Sequence, residues 1–234
     1  MTSALKLHDT VMKVSDEAKA LVPEVPRIKI ESKLLSELVL CILSSQEKYE
    51  VALSVMKELK KNNALRIPKT KSELRLFSKY ISLILSEPVK FKHNGKEYKR
   101  RIRFFIKKAN YIVETVENIY LNNLTIGKIL ANQTGKHETR DNIIAYANGL
   151  GPKQASMFLR NIGYHSDFAV LDKHVIDYMR LMGLTLETDN SFSSLRVYQK
   201  IEAELKLYAD TFKVGLLHLD LAIWTTMRTL KNYN

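Results

Sequence analysis

The sequence predicts an all-α protein carrying one small β-hairpin, and three observations support that reading. Apolar residues recur at helical spacing through most of the chain, as in Leu34, Leu35, Leu38, Val39 and Ile42. The stretch Val89-Lys-Phe-Lys-His-Asn-Gly-Lys-Glu-Tyr-Lys99 breaks that habit by alternating apolar and polar residues on either side of Asn94-Gly95, the strongest short signal for a two-residue turn. Glycine and proline fall where helices stop and restart, above all at Gly149-Leu150-Gly151-Pro152.

In chain order, residues 10–21 read as a short amphipathic helix closed by Pro23 and Pro26, in a linker LVPEVPRIKI. Ser32 is the expected N-cap of a strongly apolar helix ending at Ser44-Ser45-Gln46. A helix carrying Val51, Leu53, Val55, Met56 and Leu59 should pack on it, with Lys57, Lys60 and Lys61 at its negative end. Thr70 and Glu73 form a capping-box pattern for a helix that stops just before Pro88.

In the hairpin, Phe91 should face Tyr98 and Lys92 should face Glu97, both favourable cross-strand pairs. So small a ribbon is not stable alone, so Val89, Phe91 and Tyr98 should pack on the helical body and leave Lys90, Lys92, Lys96 and Lys99 outward. A long basic helix is expected from Arg100 to Leu121, with Ile102, Phe105, Ile106, Ala109, Ile112, Val113 and Val116 inward. Shorter helices near 125–132 and 138–147 lead to the glycine hairpin. After a polar stretch to Ser194 come a helix with Leu195, Val197, Ile201 and Leu205, and a last one from Phe212 to Leu230.

With 234 residues, 45% of them hydrophobic, the chain can bury a full core. Thirty-seven Lys and Arg against twenty-five Asp and Glu give a net charge of +12, the electrostatic footprint of a nucleic-acid binder. An anionic membrane surface is the rival partner, but no apolar run is long enough to span a bilayer and MTSALKLHDTVMK lacks a signal-peptide core, so an intracellular protein is expected. The single Cys41 excludes an intramolecular disulfide and a four-cysteine cluster. No His, Cys or carboxylate cluster has metal-ligand spacing, so no metal cofactor is expected; a monovalent ion on hairpin carbonyls leaves no mark in side chains.

The chemistry concentrates between Asn148 and Leu184. With no side chains on Gly149 and Gly151, an anionic backbone can approach the N–H groups that open the helix after Pro152. Lys153 falls in the first turn of that helix, where the dipole favours the neutral, nucleophilic amine. Asp172 immediately precedes the helical pattern from Lys173 to Met179, as an N-cap held ionised by the same field. Alone, the lysine is a phosphate contact and the aspartate a cap; together they are a signal for catalysis.

These motifs resemble the helix-hairpin-helix superfamily of DNA glycosylases, in its lysine-bearing, bifunctional branch. Lys153-Gln-Ala-Ser-Met-Phe-Leu-Arg-Asn-Ile-Gly-Tyr164 and Val170-Leu-Asp-Lys-His-Val-Ile-Asp177 are most similar to the compact, archaeal-type 8-oxoguanine glycosylases. Arg103-Phe104 with Lys107 to Val113, His218 to Trp224, and Ser36 to Gln46 extend the similarity over 33–230.

The resemblance implies a two-lobed helix-hairpin-helix glycosylase fold, with a helical-barrel lobe over 33–165, a terminal-helix lobe over 1–32 plus 166–234, and the active-site cleft between them. It implies a monomeric DNA glycosylase with β-elimination AP lyase activity, which excises 8-oxoguanine from duplex DNA and carries no iron–sulfur cluster. Lys153 would be the nucleophile, and Asp172 would stabilise charge on the sugar and orient or deprotonate the lysine. Gly149, Gly151, Arg103 and Lys107 would hold the DNA backbone, with Arg100, Arg101 and Lys108 extending the basic run. Gln46 would fill the gap left by an extruded base, and Phe104 and Trp224 would stack on it. The group often closes on a terminal lysine, whereas this sequence closes Leu230-Lys231-Asn232-Tyr233-Asn234, which leaves another modified base as an alternative substrate. A monofunctional glycosylase and a non-catalytic helix-hairpin-helix DNA-binding module are the other readings.

Overall fold

The computed structural model describes residues 3–22, 25–131, 135–186 and 194–232. Pro23, most of the polar stretch before Ser194, and Tyr233-Asn234 lie outside the described residues. The chain divides into two compact units, Ile28–Phe158 and Met1–Arg27 with Leu159–Asn234.

In the Ile28–Phe158 unit, α2 (Glu31–Ser44) buries Leu34, Leu35, Leu38 and Ile42 and packs on α3 (Tyr49–Lys61), as the periodicity requires. The expected Ser32 cap is not used: α2 begins at Glu31 behind an N-cap Ile30, and the Ser32 carbonyl accepts from Ser36 Oγ at 2.8 Å. A start at Glu31 puts Ser32 inside the first turn, beyond the capping position, and the Glu31 side chain reaches away from α2. Its carboxylate accepts the N–H groups of Ile126 and Gly127 at 2.7 and 3.1 Å and the Tyr120 hydroxyl at 2.7 Å, and so anchors the start of α6 (Ile126–Ala131).

The Thr70 half of the Thr70 and Glu73 box is present at the start of α4 (Lys71–Ser86), and the Glu73 half shifts to the residue ahead of the cap. Thr70 Oγ1 accepts the Glu73 N–H at 3.2 Å and the Glu73 carboxylate accepts the Lys69 N–H at 2.7 Å, an arrangement worth about 1 kcal/mol. The antiparallel strands β1 (Val89–His93) and β2 (Lys96–Arg100) follow, in the expected register with Phe91 opposite Tyr98 and Lys92 opposite Glu97. Asn94 and Gly95 supply the turn with φ of 48° and 76°. Val89 and Phe91 are buried where β1 packs on α3. Tyr98 is not buried as expected: it is 45% exposed on the outer strand and stacks on Phe91, with centroids 5.6 Å apart.

The long helix from Arg100 is shorter than expected. β2 extends to Arg100, and Phe104 is left-handed at φ 55°, so α5 begins at Phe105 and runs to Val116 before a π-helical turn at Glu117–Leu121. The buried stripe of α5 is Lys108, Ala109, Ile112, Thr115 and Val116. Ile106, expected inward, falls off that stripe and is 64% exposed.

In the second unit, α1 (Ser3–Leu21) is longer than the expected 10–21 and packs along α11 (Leu216–Asn232). Val11 of α1, Val175 and Met179 of α9 (Lys173–Leu181), Ile201 and Leu205 of α10 (Leu195–Thr211), and Ile223 of α11 share one core. Phe212 does not start the last helix. It is the C-cap of α10, which Lys213 closes at φ 55° with the Val214 N–H on the Ala209 carbonyl at 3.0 Å.

Candidate active site

In the Ile28–Phe158 unit, the hairpin joins α7 (Lys136–Tyr146) to α8 (Pro152–Asn161), whose last turn continues into the other unit. Gly149 has φ 80°, and a Cβ there would stand 2.2 Å from the Tyr111 ring, so both conformation and space demand glycine. Asn148 Nδ2 donates to Glu114 at 2.6 Å, so the hairpin sits against the Tyr111 and Glu114 face of α5, where the Lys107 amine lies 5.5 Å from the centroid of Tyr111. Around Gly151 nothing comes nearer to a Cβ than Gln154 Oε1 at 3.8 Å. The first α8 bond runs from the Ala155 N–H to the Gly151 carbonyl at 3.0 Å, so the N–H groups of Lys153 and Gln154 have no acceptor within the helix. The half-buried Lys153 side chain leaves from this first turn, and buried Arg140 donates to Ser156 at 3.0 Å to fix α7 on α8.

In the other unit, Asp172 is the N-cap of α9 and accepts the Val175 N–H at 3.0 Å. The extended segment before it hangs on buried polar side chains. The Ala169 N–H donates to Glu202 at 3.0 Å, Val170 to Asp220 at 2.7 Å and Leu171 to the Tyr198 hydroxyl at 3.1 Å, which donates in turn to the Ala169 carbonyl at 2.7 Å. Arg160 of α8 pairs with Asp220. Burial nevertheless pushes the Asp220 carboxyl up, with help from the nearby charge of Asp172, against Arg160 and the Val170 N–H. Half-buried Trp224 lies one turn beyond Asp220, under the Arg228 guanidinium at 4.8 Å.

Gln46 and Phe104, back in the first unit, are exposed, and both are left-handed, at φ 51° and 55°. Arg103 lies over the Phe104 ring at 5.5 Å. Arg101, Arg103 and Lys107 are exposed, whereas two other members of the expected phosphate-contacting run are held by groups within the protein. Arg100 pairs with Glu47, and Lys108, 3% exposed, donates to the Leu43 carbonyl at 2.6 Å with its pKa lowered by burial to about 8. Sequence reasoning missed Glu47, Arg160, Tyr198 and Glu202. Among the described residues no group of His, Cys, Asp and Glu could hold a metal ion, and no helix is long and apolar enough to cross a membrane.

Residues 23–214 match the model of the helix-hairpin-helix family described as 8-oxoguanine DNA glycosylase. The chain belongs to that family. Similar proteins include the 8-oxoguanine DNA glycosylase/AP lyase of Saccharolobus solfataricus, 36% identical over 124 residues that make up 53% of this chain and 58% of the relative. The enzyme of the same name from Thermotoga sp. (strain RQ2) is 29% identical over 221 residues, 91% of each chain. The chain thus spans 58% of the length of the archaeal relatives it matches, and nearly all of the bacterial one. Among solved structures, the 8-oxoguanine DNA glycosylase of Thermotoga maritima is similar with a TM-score of 0.70 and 26% identity, over 94% of this chain and 95% of that one. The Methanocaldococcus jannaschii glycosylase/lyase, in complex with a 15mer DNA containing 8-oxoguanine, shares the fold with a TM-score of 0.63 and 24% identity, over 93% and 88%. The family member described here therefore has the mostly helical helix-hairpin-helix fold expected of it, with the small hairpin at 89–100.

Proposed function

We propose that this chain is a monomeric, intracellular DNA glycosylase and AP lyase that excises 8-oxoguanine from duplex DNA. One observation carries the reading: in a member of this family, a glycine hairpin that admits no side chain at Gly149 delivers Lys153 into the first turn of α8. Gly149, Gly151 and the N–H groups of Lys153 and Gln154 receive a phosphate, and the exposed Arg103 and Lys107 add backbone contacts. A base inside a duplex is out of reach, so the nucleotide is flipped, with Gln46, Phe104 and Trp224 as the wedge and stacking surfaces.

The Lys153 amine attacks C1′ of the flipped nucleotide. The bond from C1′ to the base breaks, its electron pair leaves with the base, and the base is protonated. Loss of the amine proton and opening of the sugar give a Schiff base. Removal of a C2′ proton then expels the 3′ phosphate by β-elimination and cuts the strand. Asp172, at the N-cap of α9, stabilises the positive charge that develops on the sugar and takes the proton from the lysine. The segment hung on Glu202, Asp220 and Tyr198 keeps that carboxylate in place.

Sodium borohydride should trap the wild-type chain covalently on a duplex containing 8-oxoguanine opposite cytosine. Lys153→Gln should abolish trapping and lower excision by roughly 10³-fold or more, with duplex binding nearly intact. Trapping of the variant at wild-type yield would falsify the assignment of Lys153. Excision without trapping would mean a monofunctional glycosylase, and excision confined to a duplex with a different oxidised base would move the substrate.

A further inference from the structure

Two turns of the Ile28–Phe158 unit, one after α2 and one before α5, are bound together by buried charge. The Glu47 side chain is 0% exposed and accepts the Arg103 N–H at 2.8 Å, the Lys48 N–H at 2.7 Å and the Arg100 guanidinium, with Nη1 at 3.3 Å and Nη2 closer. A second link runs the other way: Lys108 of α5 donates to the Leu43 carbonyl in the last turn of α2 at 2.6 Å. The two turns therefore cannot move independently.

Each turn presents one exposed residue in a conformation that L-amino acids avoid. Gln46, immediately before Glu47, has φ 51°, and Phe104, immediately after Arg103, has φ 55° and is 51% exposed. Left-handed backbone at non-glycine residues persists only where its surroundings over-determine it. Here the determinant is one carboxylate bonded to the residue after one corner and the residue before the other. An aromatic ring of that exposure, flanked by Arg101, Arg103 and Lys107, suits stacking on a base beside a phosphate chain.

We infer that Glu47 is a positioning residue that presets Gln46 and Phe104 together, so that Gln46 enters the base stack of a duplex as the wedge while Phe104 is already set to stack on the base that leaves it. The inference rests on the DNA reading above and adds to it the group that aims the wedge. Ordering the two corners in the free protein leaves no such ordering to be done on DNA, which favours unstacking at the moment of contact.

The test is made independent of excision by placing Lys153→Gln, which is expected to bind the duplex without cutting it, in every protein compared, so that wild type means wild type at all other positions. A duplex with 8-oxoguanine opposite cytosine carries 2-aminopurine as the 3′ neighbour of the lesion, and its fluorescence is read with protein saturating by anisotropy. Wild-type protein should raise the fluorescence by unstacking the probe. Glu47→Gln, melting cooperatively and still saturating the duplex, should lose most of that rise. An equal rise in the variant, or no rise with wild type, overturns the inference. Should Glu47→Gln fail to fold, Arg100→Gln, which removes the guanidinium and leaves the carboxylate with its backbone donors, is judged by the same two outcomes. Failure of borohydride trapping in the chain that keeps Lys153, beside an intact fluorescence rise, would count against the proposed reaction and leave the role of Glu47 standing.

Discussion

Each unit holds a buried carboxylate that binds an arginine and a backbone N–H of an irregular segment: Asp220 with Arg160 and Val170, Glu47 with Arg100 and Arg103. Both segments end on a residue of the proposed site, Asp172 in one unit and Phe104 in the other. Yet the two carboxyls titrate in opposite directions. For Asp220, 3% exposed and near the charge of Asp172, burial outweighs the arginine and a single N–H and pushes the pKa up. For Glu47, burial also pushes upward, but the Arg103 and Lys48 N–H groups together with Arg100 outweigh it and hold the pKa below 4.5. The balance between burial and the number of aimed donors decides the sign.

The largest effect that probes this comparison is on stability. Asp220→Ala leaves the Arg160 guanidinium and the Val170 N–H buried without their acceptor, and should cost about 3–5 kcal/mol in denaturant unfolding. Glu47→Ala should cost only about 1–2 kcal/mol, because the Arg100 side chain is 35% exposed and turns to water. The reverse order would show that Glu47, not Asp220, is the deeper anchor.

A smaller effect has opposite signs in the two units. The native pKa of Glu47 lies below its unfolded value of 4.5, so the unfolded chain binds the proton first as pH falls. Its contribution to stability is full above pH 4.5 and is lost as pH falls through the native pKa. The native pKa of Asp220 lies above 3.8, so the native chain binds more protons in that window, and stability falls as pH rises from 3.8 through the native value. In urea titrations across the acid range, the wild-type stability minus that of Glu47→Gln should rise with pH, whereas the wild-type stability minus that of Asp220→Asn should fall. Parallel slopes would erase the distinction.

The parts of the fold that were legible in the sequence are those whose determinants are local. Thr70 with the Glu73 N–H, Asn94 with Gly95, Gly149 with Pro152, and Asp172 before its helix each act within a few residues, and each acts in the structure as its spacing required. The hidden parts are made by partners far apart in the chain: Glu47 with Arg100 and Arg103, Lys108 with Leu43, Glu202 with Ala169. A signal for them was nevertheless present. Lys108, Glu202 and Asp220 all sit on the apolar stripes of their helices, Lys108 with Ala109 and Ile112, Glu202 with Ile201 and Leu205, and Asp220 with Leu219 and Ile223. A charge on a buried stripe requires a partner, and that requirement distinguishes Lys108 from Lys107, its exposed neighbour. The same omission explains the misplaced start of α5, because nothing local reports that Glu47 ties down the turn before Phe104.

The smallest expected effect concerns an appendage that the Glu47 clasp has and the Asp220 clasp lacks, the hairpin whose last residue is Arg100. Its register sets Lys90 opposite Lys99, a like-charge pair that disfavours the ribbon, and Glu97 lies 3.4 Å from Lys90, on the diagonal from its register partner Lys92. Lys92, Lys96 and Lys99 are exposed, on a ribbon leading straight into Arg101 and Arg103. Such an arrangement gains from a phosphate chain alongside it. Replacing Lys92-His93-Asn94-Gly95-Lys96 by a short glycine linker keeps Arg100 and the carboxylate it binds, so the wedge should stay set while the outward charge is lost. Duplex affinity should then fall about threefold to tenfold at low salt, and the slope of log affinity against log salt should flatten by about 1–2, one unit for each phosphate contact removed. Excision opposite some bases should slow more than opposite others, and cleavage of single strands should change least. Unchanged affinity, salt slope and excision opposite all four bases would leave the hairpin as a cover for α3, with Val89 and Phe91 its whole contribution.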